Sequence, residues 1–367
     1  MHLRNLLVSP PDDHHRVSPH SSPLPLTATL QDVADRAGVH RSTVALALRD
    51  DTRISAVTRQ RVKSIARELG YQPNPLVAAL MSTRRSGNPL KHVTLAYVTN
   101  YPTAFGWRPE HHDRPDFFPG ALSRAEDFGY KLEHFWLREP GMTPERFCRI
   151  LEARGIYGLI IGRLPPGEHT LQFAWDRFSC VALGMTLQSP LLHHVTENHF
   201  EAAALGIQRC IERGYRRIGF AFSEANDSPR VGERWLSAYA GGQLRLASTD
   251  RIPICPGDPA SEAEFAQWFC ANQPDALLVT HARPVLGWLR KLGKEVPRDV
   301  GLIDLAGDHP ELNCAGVCCN PTRIGALAIE MLIGLMHRSE AGVPATRHEI
   351  LLTGEWREGF TLPPPPA

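Results

Sequence analysis

Thr29-Leu30-Gln31-Asp32-Val33-Ala34-Asp35-Arg36-Ala37-Gly38-Val39-His40-Arg41-Ser42-Thr43-Val44-Ala45-Leu46-Ala47-Leu48 is the stretch whose reading decides the N-terminal fold. Thr29 is a favourable helix N-cap. Behind it Leu30, Val33, Ala34 and Ala37 recur at i, i+3, i+4 and i+7, which puts them on one face of a helix. Gly38 ends that helix, because glycine takes a left-handed cap at little cost. A second helix over 40–48 follows at once, with Val44, Ala47 and Leu48 as its buried edge and no obvious cap. After a polar loop through Arg53, Ser55 caps a third helix reaching about Leu69, with Val57, Val62, Ile65, Ala66 and Leu69 expected inside. Two helices joined by a glycine turn and covered by a third make a helix-turn-helix. In that motif the second helix enters the major groove with its first side chains near the bases. Here these are His40, Arg41, Ser42 and Thr43, all hydrogen-bonding types.

Charge favours this reading over an ordinary three-helix bundle with the same apolar pattern. Residues 29–86 hold ten Lys/Arg against five Asp/Glu, in a chain of 367 residues whose formal net charge is only +1. Residues 1–28 balance, so the remainder is mildly acidic. A basic head on an acidic body is the footprint of a nucleic-acid-binding module joined to something else. The first 28 residues, with Ser9-Pro10-Pro11, His14-His15 and Ser21-Ser22-Pro23, read as a disordered tail.

Beyond the head, Tyr71-Gln72-Pro73-Asn74-Pro75-Leu76-Val77-Ala78-Ala79-Leu80-Met81 predicts a short apolar helix, capped by Asn74 with Pro75 at its first position. Alone in water such a piece is marginal. A symmetry mate and the DNA minor groove would give it a surface, and an inserted leucine there kinks the duplex. Residues 82–91 read as a polar, basic linker.

Residues 92–362 change character. Apolar runs at 93–98, 158–161, 180–183, 217–222, 276–279 and 301–303 read as buried parallel strands. Helical stretches fall between them, at 119–128, 144–154, 201–213, 262–271 and 284–292. Repeated βα units make doubly wound sheets with helices on both faces. The length suits two lobes, with ligands in the cleft beyond the strands' carboxyl ends. The expected division gives a first lobe of about 92–196 plus 319–343 and a second of about 197–318 plus 344–362, with 363–367 a tail. The loop from Asn100 through Tyr101 to Trp107 faces that cleft by topology, where an aromatic ring can stack on a sugar or base, or simply pack.

Thr29-Leu30-x-Asp32-Val33-Ala34-x-x-Ala37-Gly38-Val39-x-x-x-Thr43-Val44, Ile54-Ser55-x-x-Thr58-Arg59 and Leu69-Gly70-Tyr71-x-Pro73-Asn74 resemble the head of the lactose-repressor (LacI/GalR) family. The resemblance extends through the hinge and the two-lobed body, which is periplasmic-binding-protein-like. It implies a cytoplasmic, nucleoid-associated homodimer that reads a palindromic DNA operator and is controlled by a small-molecule effector, a sugar or sugar derivative, between the lobes. By matching position, Thr29 and the backbone N–H of Leu30 hold phosphate. Ser42, Thr43, Ser55 and Thr58 add backbone contacts, Arg53 flanks the backbone, and Tyr71 and Asn74 brace the head. Such contacts fix register rather than sequence. Leu80 matches the hinge wedge, with Leu76 and Val77 beside it.

This chain departs from the family pattern in places. Ala45-Leu46 follows Thr43-Val44 where the family usually has Ser-Arg, so a guanidinium that reads guanine is absent and Leu46 can meet only apolar base edges. Arg41 and Arg49 are the substitutes for base reading. His40 replaces a small hydroxyl residue, which should weaken the cap. Arg230 and Arg234 both fall near the family's cleft arginine, and the register between them stays open. His281, Asp304 and Asn320 lie near further pocket positions, but the paired aspartates expected after the late strand are missing, since Leu305-Ala306-Gly307 follows Asp304.

Other classes have less behind them. A solute-binding protein of the same body fold would leave the basic head unexplained. An α/β enzyme with a helical appendage would need a catalytic set, and no GxSxG, P-loop, GxGxxG or HExxH pattern occurs. The eight cysteines include no CxxC pair, so neither cofactor nor metal is expected. No apolar run approaches the roughly 18 residues of a membrane span. His111-His112-Asp113 and His193-His194 read as surface loops.

Overall fold

Thr29 begins the first helix through a reciprocal cap. Its Oγ1 accepts the N–H of Asp32 at 3.3 Å, and its own N–H donates to Asp32 Oδ2 at 2.6 Å. Helix α1 (Leu30–Ala37) ends at Gly38, whose φ of 64° would cost a residue with a Cβ roughly 1–2 kcal/mol. Helix α2 (Arg41–Ala47) follows. Its cap is the His40 imidazole, whose Nδ1 accepts the Ser42 N–H at 3.3 Å and lies 2.9 Å from Ser42 Oγ. The second helix is therefore capped, contrary to the reading of its sequence. Helix α3 (Ala56–Glu68) is capped by Ser55, whose Oγ accepts the Thr58 N–H at 3.2 Å.

The computed structural model describes residues 28–48, 51–71, 93–109, 116–221, 230–255, 261–306 and 310–363. The expected tail at 1–28 (but for its last residue), Arg49, the hinge with Asn74, Leu76, Val77 and Leu80, the linker to 91 and His111-His112-Asp113 lie outside the described residues. The chain divides into two compact units, Met1–Pro73 and Asn74–Ala367. In the first, Val33, Ala34, Ala37, Val44, Ala47, Val62 and Ala66 form the core, with Leu30, Ile65, Leu69 and Tyr71 packed against it. Val57, expected inside, is 80% exposed. It lies five positions from Val62, about 140° round the helix, so the two cannot share a face.

The second unit holds two sheets. The first orders its strands β10-β5-β4-β3-β1-β2, all parallel: β1 (Val93–Thr99), β2 (Tyr130–Trp136), β3 (Gly158–Ile161), β4 (Ser179–Leu183), β5 (His193–Glu197) and β10 (Glu349–Leu352). On one face pack α4 (Phe118–Asp127) and the long apolar α10 (Pro321–His337), and on the other α5 (Pro144–Ala153). The second sheet orders β11-β9-β8-β7-β6. Its strands β6 (Ile218–Ala221), β7 (Ala276–Val279), β8 (Gly301–Asp304) and β9 (Ala315–Cys318) are parallel, and β11 (Glu355–Arg357) is antiparallel at the edge. Helices α6 (His199–Glu212) and α7 (Arg234–Gln243) cover one face, and α8 (Glu262–Asn272) and α9 (Ala282–Lys291) the other.

Two expectations are corrected here. The sequence places the whole stretch 344–362 in the second lobe, but β10 pairs with β5 in the first sheet, with Glu349 opposite His194. His193 and His194 are not surface loop residues, since both are buried in β5. The His348 N–H donates to His193 Nδ1 at 3.0 Å, and His194 Nε2 lies 3.4 Å from Glu349 Oε1. Burial disfavours the charged imidazole, which holds His193 and His194 below the ordinary histidine range, as it does His134 in β2.

Helices α4 and α10 touch backbone to backbone because glycines meet there. A Cβ on Gly120 would fall inside the contact distance of the Thr322 carbonyl, and one on Gly325 would strike the Phe117 carbonyl. Both obstacles are main chain and cannot rotate away. Gly325→Ala should therefore cost about 1–3 kcal/mol, read as a lowered Tm in calorimetry; an unchanged Tm would contradict this packing. The buried histidines set a second expectation. Because the unfolded chain protonates first, their contribution is complete above about pH 6.5 and is lost as pH falls through the lower folded values. Tm should fall on going from about pH 7 to about pH 5, and His194→Gln should flatten that fall; parallel curves for the two proteins would contradict it.

Candidate nucleic-acid interface and ligand cleft

The head gathers its candidate DNA contacts at helix starts. Arg41 and Ser42 stand exposed in the first turn of α2 beside the exposed His40, and Thr43 and Leu46 are half-buried on the same helix. The helix N-terminus adds a partial positive charge that suits a phosphate. Thr29 and Leu30 open α1, and Ser55 and Thr58 open α3, where their hydroxyls lie 2.9 Å apart. Tyr71 is half-buried against the head core. Arg53 is 74% exposed in its side chain, yet it is not a loose cation. It grips Asp51 with Nε at 3.0 Å and Nη2 at 2.7 Å, which holds the Asp51 carboxyl far below the usual range. Arg59 ties the same loop by donating to the Asp51 and Ile54 carbonyls at 3.0 and 2.6 Å.

The body's cleft follows from its topology. The chain passes between the sheets at three places: Asn198 between β5 and α6, Cys319-Asn320 between β9 and α10, and Thr353-Gly354 between β10 and β11. The first and third are stitched together, since the Asn198 N–H donates to the Leu352 carbonyl at 2.9 Å and Thr353 Oγ1 donates to Glu201 Oε2 at 2.8 Å. Beside them opens a cleft whose empty space is about 550 Å³ when the open solvent at its mouth is included. Its walls come from strand ends. Arg163 follows β3, Gly184 to Thr186 follow β4, and Thr196 and Glu197 finish β5. The second lobe supplies His199, Arg230, Val231, Trp235, Thr280, His281 and Ala306, with Thr280-His281 just past β7 and Ala306 just past β8. An adjoining recess of about 280 Å³ shares Phe117 and Arg163 and is lined further by Tyr97, Thr99, Tyr101, Trp107 and Asp116.

The lining is mostly ordered by its own contacts. Arg163 lies over the Phe117 ring at 4.8 Å. Buried Arg230 donates from Nη1 to the Leu164 carbonyl at 3.1 Å, so a second-lobe cation is anchored on the first lobe. Glu197 and His199, one on each side of the crossing, meet at 3.1 Å, and the His199 ring stands edge-on to Trp235 at 4.8 Å. Thr186 Oγ1 accepts the Leu164 N–H at 2.8 Å.

Of the seven residues expected at the effector site, Arg230 and His281 line the cavity, and Tyr101 and Trp107 line the recess. Trp107 is also a packing residue, stacked with Tyr97, Phe118 and His134. The other three are not on the cavity walls. Arg234 reaches Glu349 at 2.7 Å and links α7 to β10. Asp304 is buried at the end of β8, where its Oδ1 accepts the Ala306 N–H at 3.1 Å. Asn320 caps α10 through the Arg323 N–H at 2.9 Å and is exposed. Of the two arginines, Arg230 lines the cavity and Arg234 does not. Sequence reading missed Arg163, Thr186, Thr196, Glu197, His199, Trp235 and Thr280. The signal was present for Arg163, Thr186 and Thr280, as polar residues just after the carboxyl ends of strands that the sequence shows.

A helix-turn-helix head carried with a two-lobed α/β body around a strand-end cleft defines a ligand-responsive DNA-binding regulator. Residues 29–74 match the model of the bacterial regulatory proteins of the lacI family, and residues 207–361 match the periplasmic binding protein-like domain. The head, residues 29–74, is of the lacI-family type. The HTH-type transcriptional regulator GntR of Escherichia coli (strain K12) is 27% identical over 340 residues, covering 86% of this chain and 93% of the relative. Among solved structures, the transcriptional regulator CelR–cellobiose complex matches with a TM-score of 0.53 at 19% identity, over 91% of this chain and 99% of that one. The lac repressor dimer bound to operator and the anti-inducer ONPF matches with a TM-score of 0.52 at 20% identity, again over 91% and 99%. The fold expected from the sequence is the fold the chain has. No described helix is long and apolar enough to cross a membrane.

Proposed function

We propose that the protein is a cytoplasmic repressor that binds a palindromic operator as a homodimer and answers to a carbohydrate-like effector held between the lobes. The observation that carries this is the exposed His40-Arg41-Ser42 turn at the start of α2, in a segment, residues 29–86, with a surplus of five positive charges. In this reading α2 lies in the major groove, where Arg41, with Arg49 beside the helix, reads bases and Leu46 meets apolar edges. Thr29, Leu30, Ser42, Thr43, Arg53, Ser55, Thr58, Tyr71 and Asn74 hold the backbone. His40 orients the helix by capping it, a role open only to an imidazole with a lone pair on Nδ1. Leu76, Val77 and Leu80 form the hinge contact with the minor groove.

The effector reading rests on the cleft. It is lined from both lobes, so a ligand in it touches groups on either side of the crossings and binds one lobe arrangement better than another. The CelR relative is solved with cellobiose, which supports a sugar-like occupant. The solute-binding alternative leaves the basic head without a role.

Salt tests the DNA half. Affinity for duplex DNA should fall steeply, by about a thousandfold or more between roughly 50 and 200 mM salt if six or more phosphates are engaged. Salt-independent or absent binding would contradict it. Arg41→Ala should level the differences among operator variants by about 1–3 kcal/mol at one position, while Thr43→Ala should weaken all sequences alike. An Arg41→Ala protein with unchanged relative affinities in a competition gel-shift assay would remove the base-reading role.

A further inference from the structure

We propose that residues 230–234 are a strap that fastens the second lobe across the strand ends of the first, with the Arg234–Glu349 ion pair as its releasable catch. The segment belongs to the second lobe, because Val231 and Trp235 are buried in the core of the second sheet. The alternate residues, Arg230, Gly232 and Arg234, turn the other way and meet the first lobe at three points. Arg230 Nη1 donates to the Leu164 carbonyl at 3.1 Å, in the loop after β3. A Cβ on Gly232 would stand 2.8 Å from Cε of Met185, which follows β4. Arg234 Nη2 donates to Glu349 Oε2 at 2.7 Å, in β10. The first sheet runs β10-β5-β4-β3, so the anchors at 234, 232 and 230 fall in the same order as the strands they hold. At about 4.8 Å between neighbouring strands, β10 and β3 lie roughly 14 Å apart, within reach of a short segment with an arginine at each end.

The backbone of the segment fits this role. Gly232 and Glu233 are consecutive left-handed residues, with φ of 61° and 57°. Glu233 carries a Cβ, so its conformation is unfavourable and persists only where the surroundings impose it. The buried flanks at 231 and 235 and the first-lobe anchors impose it here. Position matters as well. The bonds from Asn198 to Leu352 and from Thr353 to Glu201 lie at the crossings, where a rotation of one lobe about the crossings leaves them intact. Met185 and Leu164 follow strands two and three places in from β10, so the lobes part there only by breaking the strap's hold.

The two ends of the strap differ. Arg230 is buried on a neutral carbonyl and is the fixed end. At the other end, the side chains of Arg234 and Glu349 are 21% and 23% exposed, so water reaches both. Glu349 also keeps a cation of its own lobe. Arg347 Nη2 lies 2.8 Å from Oε1, the oxygen that Arg234 does not take, and His194 Nε2 stands 3.4 Å from the same atom. When Arg234 leaves, the carboxylate stays paired and the guanidinium passes into water, so neither charge is stranded. That is what makes the pair a catch rather than a rivet.

The test is hydrogen–deuterium exchange, read by mass spectrometry, on the full-length protein, on Arg234→Gln, on Glu349→Gln and on the double variant. The reporters are the first-lobe loops under the far anchors, residues 162–166 and 183–187, which are joined where the Leu164 N–H donates to Thr186 Oγ1 at 2.8 Å. Arg234→Gln should speed exchange in both loops about tenfold or more, and Glu349→Gln should match it. The double variant should add little to either, since both substitutions cut one contact. Glu349→Gln can also loosen β10 on β5, so the decision rests on Arg234→Gln, which leaves the sequence of the first lobe untouched. Unchanged exchange at 162–166 and 183–187 in Arg234→Gln would overturn the strap, as would a change confined to 193–197 and 349–352. Additive effects of the two substitutions would overturn the pair as its catch.

Discussion

The body is governed by the parallel strand. Its neighbouring strands run the same way, so each connection returns over a sheet face and every strand but the antiparallel edge strand β11 ends on one side of its lobe. Two such sheets, joined by a chain that crosses at 198, 319–320 and 353–354, turn their carboxyl ends toward a common cleft. Polar residues that would be stranded in the interior of a strand become useful there. Glu197 ends a buried first-lobe strand, and His199, two residues on, starts a second-lobe helix. Their contact spans the crossing, so a ligand that touches both also touches the hinge. Arg230 has the same property in another form, as a second-lobe side chain seated on a first-lobe carbonyl.

The head obeys a different constraint. Three short helices cannot be stable singly, and each depends on a small core and on its caps. Thr29, His40 and Ser55 cap α1, α2 and α3 through their side chains. The same three starts present the proposed phosphate contacts, which joins stability to function: the residues that begin the helices also position them on the duplex. His40 illustrates this most directly, since it replaces a hydroxyl cap with an imidazole that bonds Ser42.

Legibility followed burial. Apolar runs such as Gly158-Leu159-Ile160-Ile161 and Ala276-Leu277-Leu278-Val279 are strands on sight, because a strand covered on both faces is apolar throughout. Strands with polar letters were missed. His193-His194 reads as a loop but begins the wholly buried strand β5, its histidines paired with residues about 155 positions away, which no local pattern can reveal. Edge strand β10 carries Glu349 for a similar reason: two of its partners, Arg234 and His194, come from distant segments. The cleft was half legible. Its location followed from topology, but choosing Arg230 over Arg234 needed the path of the chain into α7, and Trp235 carried no sequence mark to separate it from an ordinary core residue.

In the proposed function, a ligand in the cleft changes the head's hold on DNA. The most direct measurement is the Kd of the full-length protein for its selected operator, by fluorescence anisotropy, with the cleft empty and with it saturated by a ligand whose binding calorimetry has established. The account predicts a change of about tenfold or more, in the range of ordinary allosteric coupling, and an equal reciprocal change in ligand affinity when operator is present. Identical operator Kd values in the two states would contradict it.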